Sequence, residues 1–215
     1  VEKYRDGVKL LDEYRMIVDE RGLNKVLKPI HFPPPKLDEI VHVVRGAKCF
    51  GKGDDTSGYW QADLDEDSIK YTAFCFPLGN YEYLRAPMGC KVSGAHFQRC
   101  MINILGDQYA RELTEEVHSG VLQYSDDELT YADGEEGLLD GTDEYLDKCD
   151  RHNVKLSPKK FVLYATSLSW GGKQMTADGV GPTPDCIQAV VDMPEPNTLD
   201  ELMHFVYGAA WFRGH

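Results

Sequence analysis

The spacing of apolar residues changes repeatedly along the second half of the chain, and each change predicts an element. Behind Ser93, a side chain suited to an N-cap, Phe97, Met101, Ile104 and Leu105 recur at helical spacing, so a helix is expected from there to near Arg111. Val121-Leu122 and Leu129-Thr130-Tyr131 flank Tyr124-Ser125-Asp126-Asp127 and read as two strands joined by a tight turn. Leu138, Leu139, Thr142, Tyr145, Leu146 and Cys149 trace a second amphipathic stripe, closed by Arg151-His152-Asn153. Phe161-Val162-Leu163-Tyr164 and Leu168-Ser169-Trp170-Gly171 read as strands, and Gly179 to Gly181 with Pro182 and Pro184 reads as a boundary. Beyond it, Ile187, Val190 and Val191 predict a short helix, and Leu199, Leu202, Met203, Phe205 and Val206 predict another after Pro194-Glu195-Pro196. Upstream, His31-Phe32-Pro33-Pro34-Pro35 cannot be helical and is expected as an extended link. Strand, helix, paired strands, helix, strand is a split βαβ order, which makes the fold class α+β.

Composition narrows the setting. The chain has 215 residues, enough for a sizeable core and one or two domains. It contains no apolar run long enough to span a bilayer and opens on no signal peptide, so no membrane partner is expected. Six cysteines lie scattered without a Cys-x-x-Cys pair, which argues against zinc and against a disulfide framework and favours a reducing, intracellular setting. A net charge of −13 makes a poor general binder of nucleic acid, but its distribution softens the objection. Residues 1 to 48 carry ten Lys or Arg against eight Asp or Glu, whereas residues 107 to 150 carry two against fifteen. Such an acidic run ordinarily forms a solvated outer face.

Within that run Asp126 and Asp127 stand side by side at a hairpin. Adjacent carboxylates repel, and a hard divalent cation such as Mg2+ is the natural way to neutralise them, although an Asp-Asp in a tight turn also serves as nothing more than a turn. A second motif lies upstream, in Phe50-Gly51-Lys52-Gly53-Asp54-Asp55-Thr56-Ser57-Gly58-Tyr59-Trp60-Gln61. It resembles the first catalytic block of reverse transcriptases of the long-terminal-repeat retrotransposon and retrovirus kind, whose pattern ends in Asp-x-x-Ser-Gly-Tyr-x-Gln. Further blocks follow in the family's order. Tyr14-Arg15-Met16-Ile17-Val18-Asp19 with Leu23-Asn24-Lys25 is similar to a fingers block, and Lys70-Tyr71-Thr72-Ala73-Phe74 to a second fingers strand. Pro87-Met88-Gly89 leading to Phe97-Gln98 resembles the block that opens the long palm helix, and Leu156-Ser157-Pro158-Lys159-Lys160 follows the hairpin. Within that kind, the chain resembles the Gypsy-type retrotransposons.

The resemblance implies a right-hand polymerase core with a ferredoxin-like palm. Fingers are expected at 1–28 and 62–92, palm at 29–61 and 93–178, and the start of a truncated thumb at 179–215. It implies RNA-directed DNA synthesis, with an RNA or DNA template, a primer and a dNTP as partners, inside a longer polyprotein. The setting would be the cytoplasm, virus-like particles or the nucleus. Asp54, Asp126 and Asp127 would be the catalytic carboxylates and would hold Mg2+, with Mn2+ as the alternative. Two ions about 4 Å apart stabilise the attacking and leaving oxygens in such chemistry. Asp127 ranks below the other two, because neighbouring strand residues point to opposite faces unless the turn rotates one of them.

By the same resemblance Arg15 clamps the triphosphate, Ser57, Gly58 and Tyr59 line the nucleotide, and Tyr59 excludes a 2′ hydroxyl. Met88 would sit under the incoming nucleotide, and Lys159 or Lys160 would protonate the leaving pyrophosphate. Each has a plainer alternative: a surface arginine, a core tyrosine beside Trp60, a packing methionine, a solvated lysine. Three departures from the family pattern surround the carboxylates. Gly53 and Asp55 flank Asp54, and Glu128 follows Asp127, where apolar residues are usual; Gly94 also replaces a proline. Unless Asp55 and Glu128 reach solvent or a cation, they should weaken the palm, as in a decayed or domesticated copy that only binds.

Overall fold

The computed structural model describes residues 2–5, 8–14, 17–32, 42–106 and 119–210, with side chains described from residue 17 onward. The chain forms two compact units, Val1–Pro33 with Ser57–Cys100, and Pro34–Thr56 with Met101–His215.

The first unit opens with an antiparallel pair, β1 (Glu2–Arg5) and β2 (Val8–Tyr14). Helix α1 (Arg21–Val26) is too short to persist alone, and Asn24 fastens it. The Asn24 amide donates to the Gly89 carbonyl and its carbonyl oxygen accepts from the Lys91 N–H, both at 2.8 Å. A 3-10 turn (Gly58–Gln61) and a one-turn helix α2 (Glu66–Ile69) lead to the short hairpin of β4 (Phe74–Phe76) and β5 (Gly79–Tyr81), while β3 (Cys49–Asp54) belongs to the second unit. The strand expected from Lys70 begins only at Phe74, because Lys70–Thr72 is a 3-10 turn. Thr72 closes that turn: its hydroxyl donates to the Ile69 carbonyl at 2.7 Å and accepts from the Tyr83 N–H at 2.8 Å.

The second unit is built on a four-stranded antiparallel sheet, order β6-β7-β3-β8, from β3 (Cys49–Asp54), β6 (Ser119–Tyr124), β7 (Asp127–Ala132) and β8 (Val162–Ala165). In chain order helix α3 (Ser93–Leu105), most of which belongs to the first unit, precedes β6 and helix α4 (Glu135–Arg151) precedes β8, which is the ferredoxin-like order that the sequence predicts. Alternation along the strands separates the faces. Phe50, Leu122, Leu129 and Tyr131 cluster on one face with Trp170, Met175, Val43, Val44 and Ala47. Cys49 and Ala132 meet Leu138 of α4 on the other.

Trp170 and Met175 reach that core from a second sheet, β9 (Ser167–Trp170), β10 (Lys173–Thr176) and β11 (Gly179–Pro182). The glycines read as a boundary are therefore strand residues: Gly179, at φ +136°, leaves the turn and β11 then pairs along β10. Helices α5 (Pro184–Val191) and α6 (Leu199–Ala210) follow, as their stripes predict.

Two helix ends correct the sequence reading. Ser93 does not cap α3, since its hydroxyl donates to the Pro87 carbonyl at 2.7 Å. The helix stops at Leu105, not near Arg111, because Gly106 takes φ +95°. Residues 107–118 and 33–41, the latter holding the prolines of the expected link, lie outside the described residues. Helix α4 behaves as expected: Leu138, Thr142, Tyr145 and Cys149 are buried. Acidic residues open it and Lys148 and Arg151 close it, complementing the helix dipole. Lys148 also donates to the Leu105 carbonyl at the end of α3, at 3.1 Å.

Candidate active site

Backbone contacts on both sides hold the end of β3. Asp54 is the cross-strand partner of Asp127, and the Asp55 N–H donates to the Asp126 carbonyl at 2.9 Å. On the other side the Ser157 N–H donates to the Asp54 carbonyl at 2.9 Å and Asp55 bridges to Leu156. The structure thus brings Asp54, Asp126 and Asp127 together at one end of the sheet. Direct cross-strand partners share a face, so Asp54 and Asp127 lie on the same one, while Asp126 stands exposed in the turn. That turn is tight because Ser125 adopts φ +62°, a left-handed conformation unusual outside glycine.

Two lysines answer the two carboxylates. Lys160 Nζ lies 2.6 Å from Asp54 Oδ2, and that hydrogen bond raises the lysine above its ordinary range. Lys52 Nζ lies 3.0 Å from Asp127 Oδ1. The turn through Ser157 delivers Lys160, whose N–H donates to the Ser157 carbonyl at 3.1 Å; Lys159 is exposed. Lys52 was missed at the sequence level, although its signal is simple: it stands two residues before Asp54 on one strand, hence on one face.

The donor set suits a hard cation. Among the described residues no three His, Cys, Asp or Glu side chains converge into a ready cage. Mg2+ does not need one, since it is typically held by one or two carboxylates with water and phosphate oxygens completing its shell.

On the opposite face the departures from the family pattern meet one another. Glu128 is the cross-strand partner of Gly53, and its Oε2 accepts from the Tyr145 hydroxyl of α4 at 3.2 Å. Glu128 is 0% exposed and Asp55 3%. Among the described residues no donor reaches either Asp55 oxygen or Glu128 Oε1, yet the two carboxyls lie within hydrogen-bonding reach of each other. Two acceptors bond only through a proton held by one of them. Burial, and then the neighbouring negative charge, push Glu128 well above the carboxylate range, and burial pushes Asp55 up to about 7. Tyr145 is pushed up by burial and Glu128, and Cys149 to about 12 for the same reasons. An uncompensated buried ion costs several kcal/mol against a domain margin of about 5–15 kcal/mol, so the protonated pair is the lower-energy state. Asp55 and Glu128 thus reach neither solvent nor, among the described residues, a cationic side chain.

The remaining candidates belong to the first unit. Ser57, exposed at φ +55°, precedes the 3-10 turn that holds buried Gly58. Tyr59 is half-buried, its ring edge-on to Phe97 with centroids 5.8 Å apart, and a Cβ at Gly94 would meet its hydroxyl at an ordinary contact distance of 3.4 Å. Met88 is half-buried in the turn before Gly89. Arg15 lies outside the described residues.

A sheet of ferredoxin-like order carrying an aspartate at the end of its first strand and two at its central hairpin defines a polymerase palm. The chain belongs to the reverse transcriptase (RNA-dependent DNA polymerase) family, whose model matches residues 3–175. It is 32% identical over 202 residues to the retrovirus-related Pol polyprotein from transposon 297 of Drosophila melanogaster, covering 94% of this chain and 18% of that polyprotein. It is 30% identical over 187 residues to the enzymatic polyprotein of Cauliflower mosaic virus (strain D/H), covering 87% of this chain and 26% of that one. The chain therefore spans only a small part of the relatives it matches. Among solved structures, the foamy viral protease-reverse transcriptase dRH in complex with double-stranded DNA has the same fold. It superimposes with a TM-score of 0.80 at 22% identity, covering 99% of this chain and 35% of that one. The foamy viral protease-reverse transcriptase in complex with an RNA/DNA hybrid gives a TM-score of 0.74 at 22% identity, covering 93% of this chain and 26% of that one. The expected family and fold class are both borne out.

Proposed function

We propose that this chain is the polymerase portion of a longer Pol-type polyprotein and extends a primer along an RNA or DNA template. On this reading the fingers are residues 1–28 and 62–92, the palm 29–61 and 93–178, and the thumb begins at residue 179. The observation that carries it is the cross-strand pair of Asp54 and Asp127 with Asp126 in the adjoining turn. The foamy viral structures hold double-stranded DNA and an RNA/DNA hybrid, which supports a primer–template as the partner. No described helix is long and apolar enough to cross a membrane, and the retrotransposon relatives favour a place inside a cell or particle.

In the reaction the primer 3′ oxygen bonds to the α-phosphorus of a dNTP as the bond to the β-phosphate oxygen breaks. The hydroxyl loses its proton, and the departing pyrophosphate gains one. Mg2+, or Mn2+ in its place, supplies neutralising charge at the attacking and leaving oxygens when bound. Asp54, Asp126 and Asp127 would hold it. Lys160, an ammonium already at Asp54, is the donor best placed to protonate pyrophosphate, with Lys159 the alternative. The roles of Arg15 as phosphate clamp and of Ser57, Gly58, Tyr59 and Met88 as nucleotide lining rest on the motif resemblance.

A second reading, a non-catalytic module that binds, is favoured by the lysines that already satisfy Asp54 and Asp127. Primer extension on an RNA template with Mg2+ separates the two. The chain should extend the primer, and Asp126→Asn should abolish extension while leaving the melting temperature unchanged, since Asp126 is exposed. Extension by that variant near the parent rate refutes the metal assignment; no extension by the parent refutes the polymerase reading.

A further inference from the structure

The residues that look like decay beside the catalytic strand are interlocked. Gly53 lacks the side chain that would occupy the face toward α4: a Cβ there would overlap the Tyr145 hydroxyl and stand 3.1 Å from its Cζ and 3.0 Å from Glu128 Oε2. The absence of that carbon admits the Tyr145 hydroxyl, which donates to Glu128 at 3.2 Å. Glu128 in turn meets the buried carboxyl of Asp55. Asp55 is also the residue whose N–H holds the Asp126 carbonyl, and Glu128 directly follows Asp127. Each departure makes room for, or contacts, the next. Independent loss of function would scatter such changes without this fit.

We infer that Gly53, Asp55, Glu128 and Tyr145 form one co-adapted unit, fastening helix α4 to the aspartate-bearing ends of β3 and β7, in which Tyr145 is a positioning residue for the carboxylates on the opposite face. The positioning part rests on the polymerase reading; the packing part does not. Groups hydrogen-bonded directly to a metal ligand commonly change metal affinity by about 10–100-fold when removed, and Tyr145 acts one step further out, through Glu128, so an effect at the lower end of that range is expected.

The test uses the 215-residue chain with Gly53→Ala, Tyr145→Phe, their combination, and Glu128→Gln. In thermal melts without Mg2+, Gly53→Ala should lower the midpoint sharply in the parent and far less in the Tyr145→Phe background, where the obstructing hydroxyl is gone. Equal losses in the two backgrounds overturn the unit. The second readout is the Mg2+ concentration giving half-maximal primer extension, well below every midpoint. Tyr145→Phe should raise it by about tenfold, and Glu128→Gln, which keeps an acceptor for the Tyr145 hydroxyl, by no more than about twofold. A purely structural tyrosine would leave that concentration unchanged, which overturns the positioning role. If the parent extends no primer, the polymerase reading and the positioning role fall together while the melts still decide the unit. If the parent extends normally but the melting losses are additive, the unit alone falls.

Discussion

At the scale of single residues, environment decides what a carboxyl does. Asp126 and Asp127 are sequence neighbours, yet one is exposed in the turn and the other pairs with Lys52 on the Asp54 face. Glu128, one residue on, is sealed against α4. This gives a pH dependence whose sign follows from the direction of the shifts. Burial pushes Asp55 to about 7 in the folded chain against 3.8 ordinarily, and pushes Glu128 well above its own ordinary 4.5. Groups raised on folding stabilise fully below their unfolded range and lose that contribution as pH rises through the folded value. Urea midpoints without Mg2+ should therefore fall as pH rises from about 5 through the Asp55 value of about 7. Asp55→Leu with Glu128→Ile should flatten the profile, and a midpoint that rises with pH in the parent contradicts the buried pair. At Tyr59 the question is steric. If its ring bars a 2′ hydroxyl, Tyr59→Ala should admit ribonucleotides in extension assays. Unchanged discrimination would leave Tyr59 as the Phe97 packing partner alone.

At the scale of elements, the β6–β7 hairpin holds its carboxylates at the expense of backbone strain. Ser125 sits at φ +62°, where an L-residue is disfavoured by about 1–2 kcal/mol. Ser125→Gly should raise stability by about 1 kcal/mol, less whatever the unfolded glycine gains in entropy. Chemical denaturation would register this as a higher midpoint at constant slope. A lower midpoint would mean that the serine side chain contributes more than its conformation costs. The same hairpin shows what periodicity could and could not convey. Alternation predicted two strands and a tight turn, which is what forms, because one face of each strand is buried and the register is thereby fixed. Helix α3 was legible in its stripe but not at its end, where the conformation of one glycine outweighs the spacing.

At the scale of the molecule, stability of the second unit depends on the core between the four-stranded sheet and the β9–β10 hairpin. Leu122 and Leu129 are 0% exposed there, facing each other across β6 and β7. Leu129→Ala should cost about 2–5 kcal/mol, because close-packed surroundings collapse only partly into the space left. A loss below about 1 kcal/mol by urea titration would show that this layer repacks freely. Since Leu129 shares a strand with Asp127, Mg2+ binding measured below the transition tells loss of fold from loss of site.

The sequence by itself determined the family, the order of elements and the carboxylates of the candidate site, because motif spacing and hydrophobic period are local properties written directly in the chain. Only the tertiary structure decided what surrounds those carboxylates. Lys160 reaches Asp54 across the strand junction and Lys52 reaches Asp127 across the sheet. Tyr145 comes from a helix 17 residues beyond Glu128. Gly53 and Glu128 looked like separate flaws because nothing in a linear string says that they are cross-strand partners facing one tyrosine. Long-range register and the buried face of a helix create that contact, so its chemistry exists only in the folded chain.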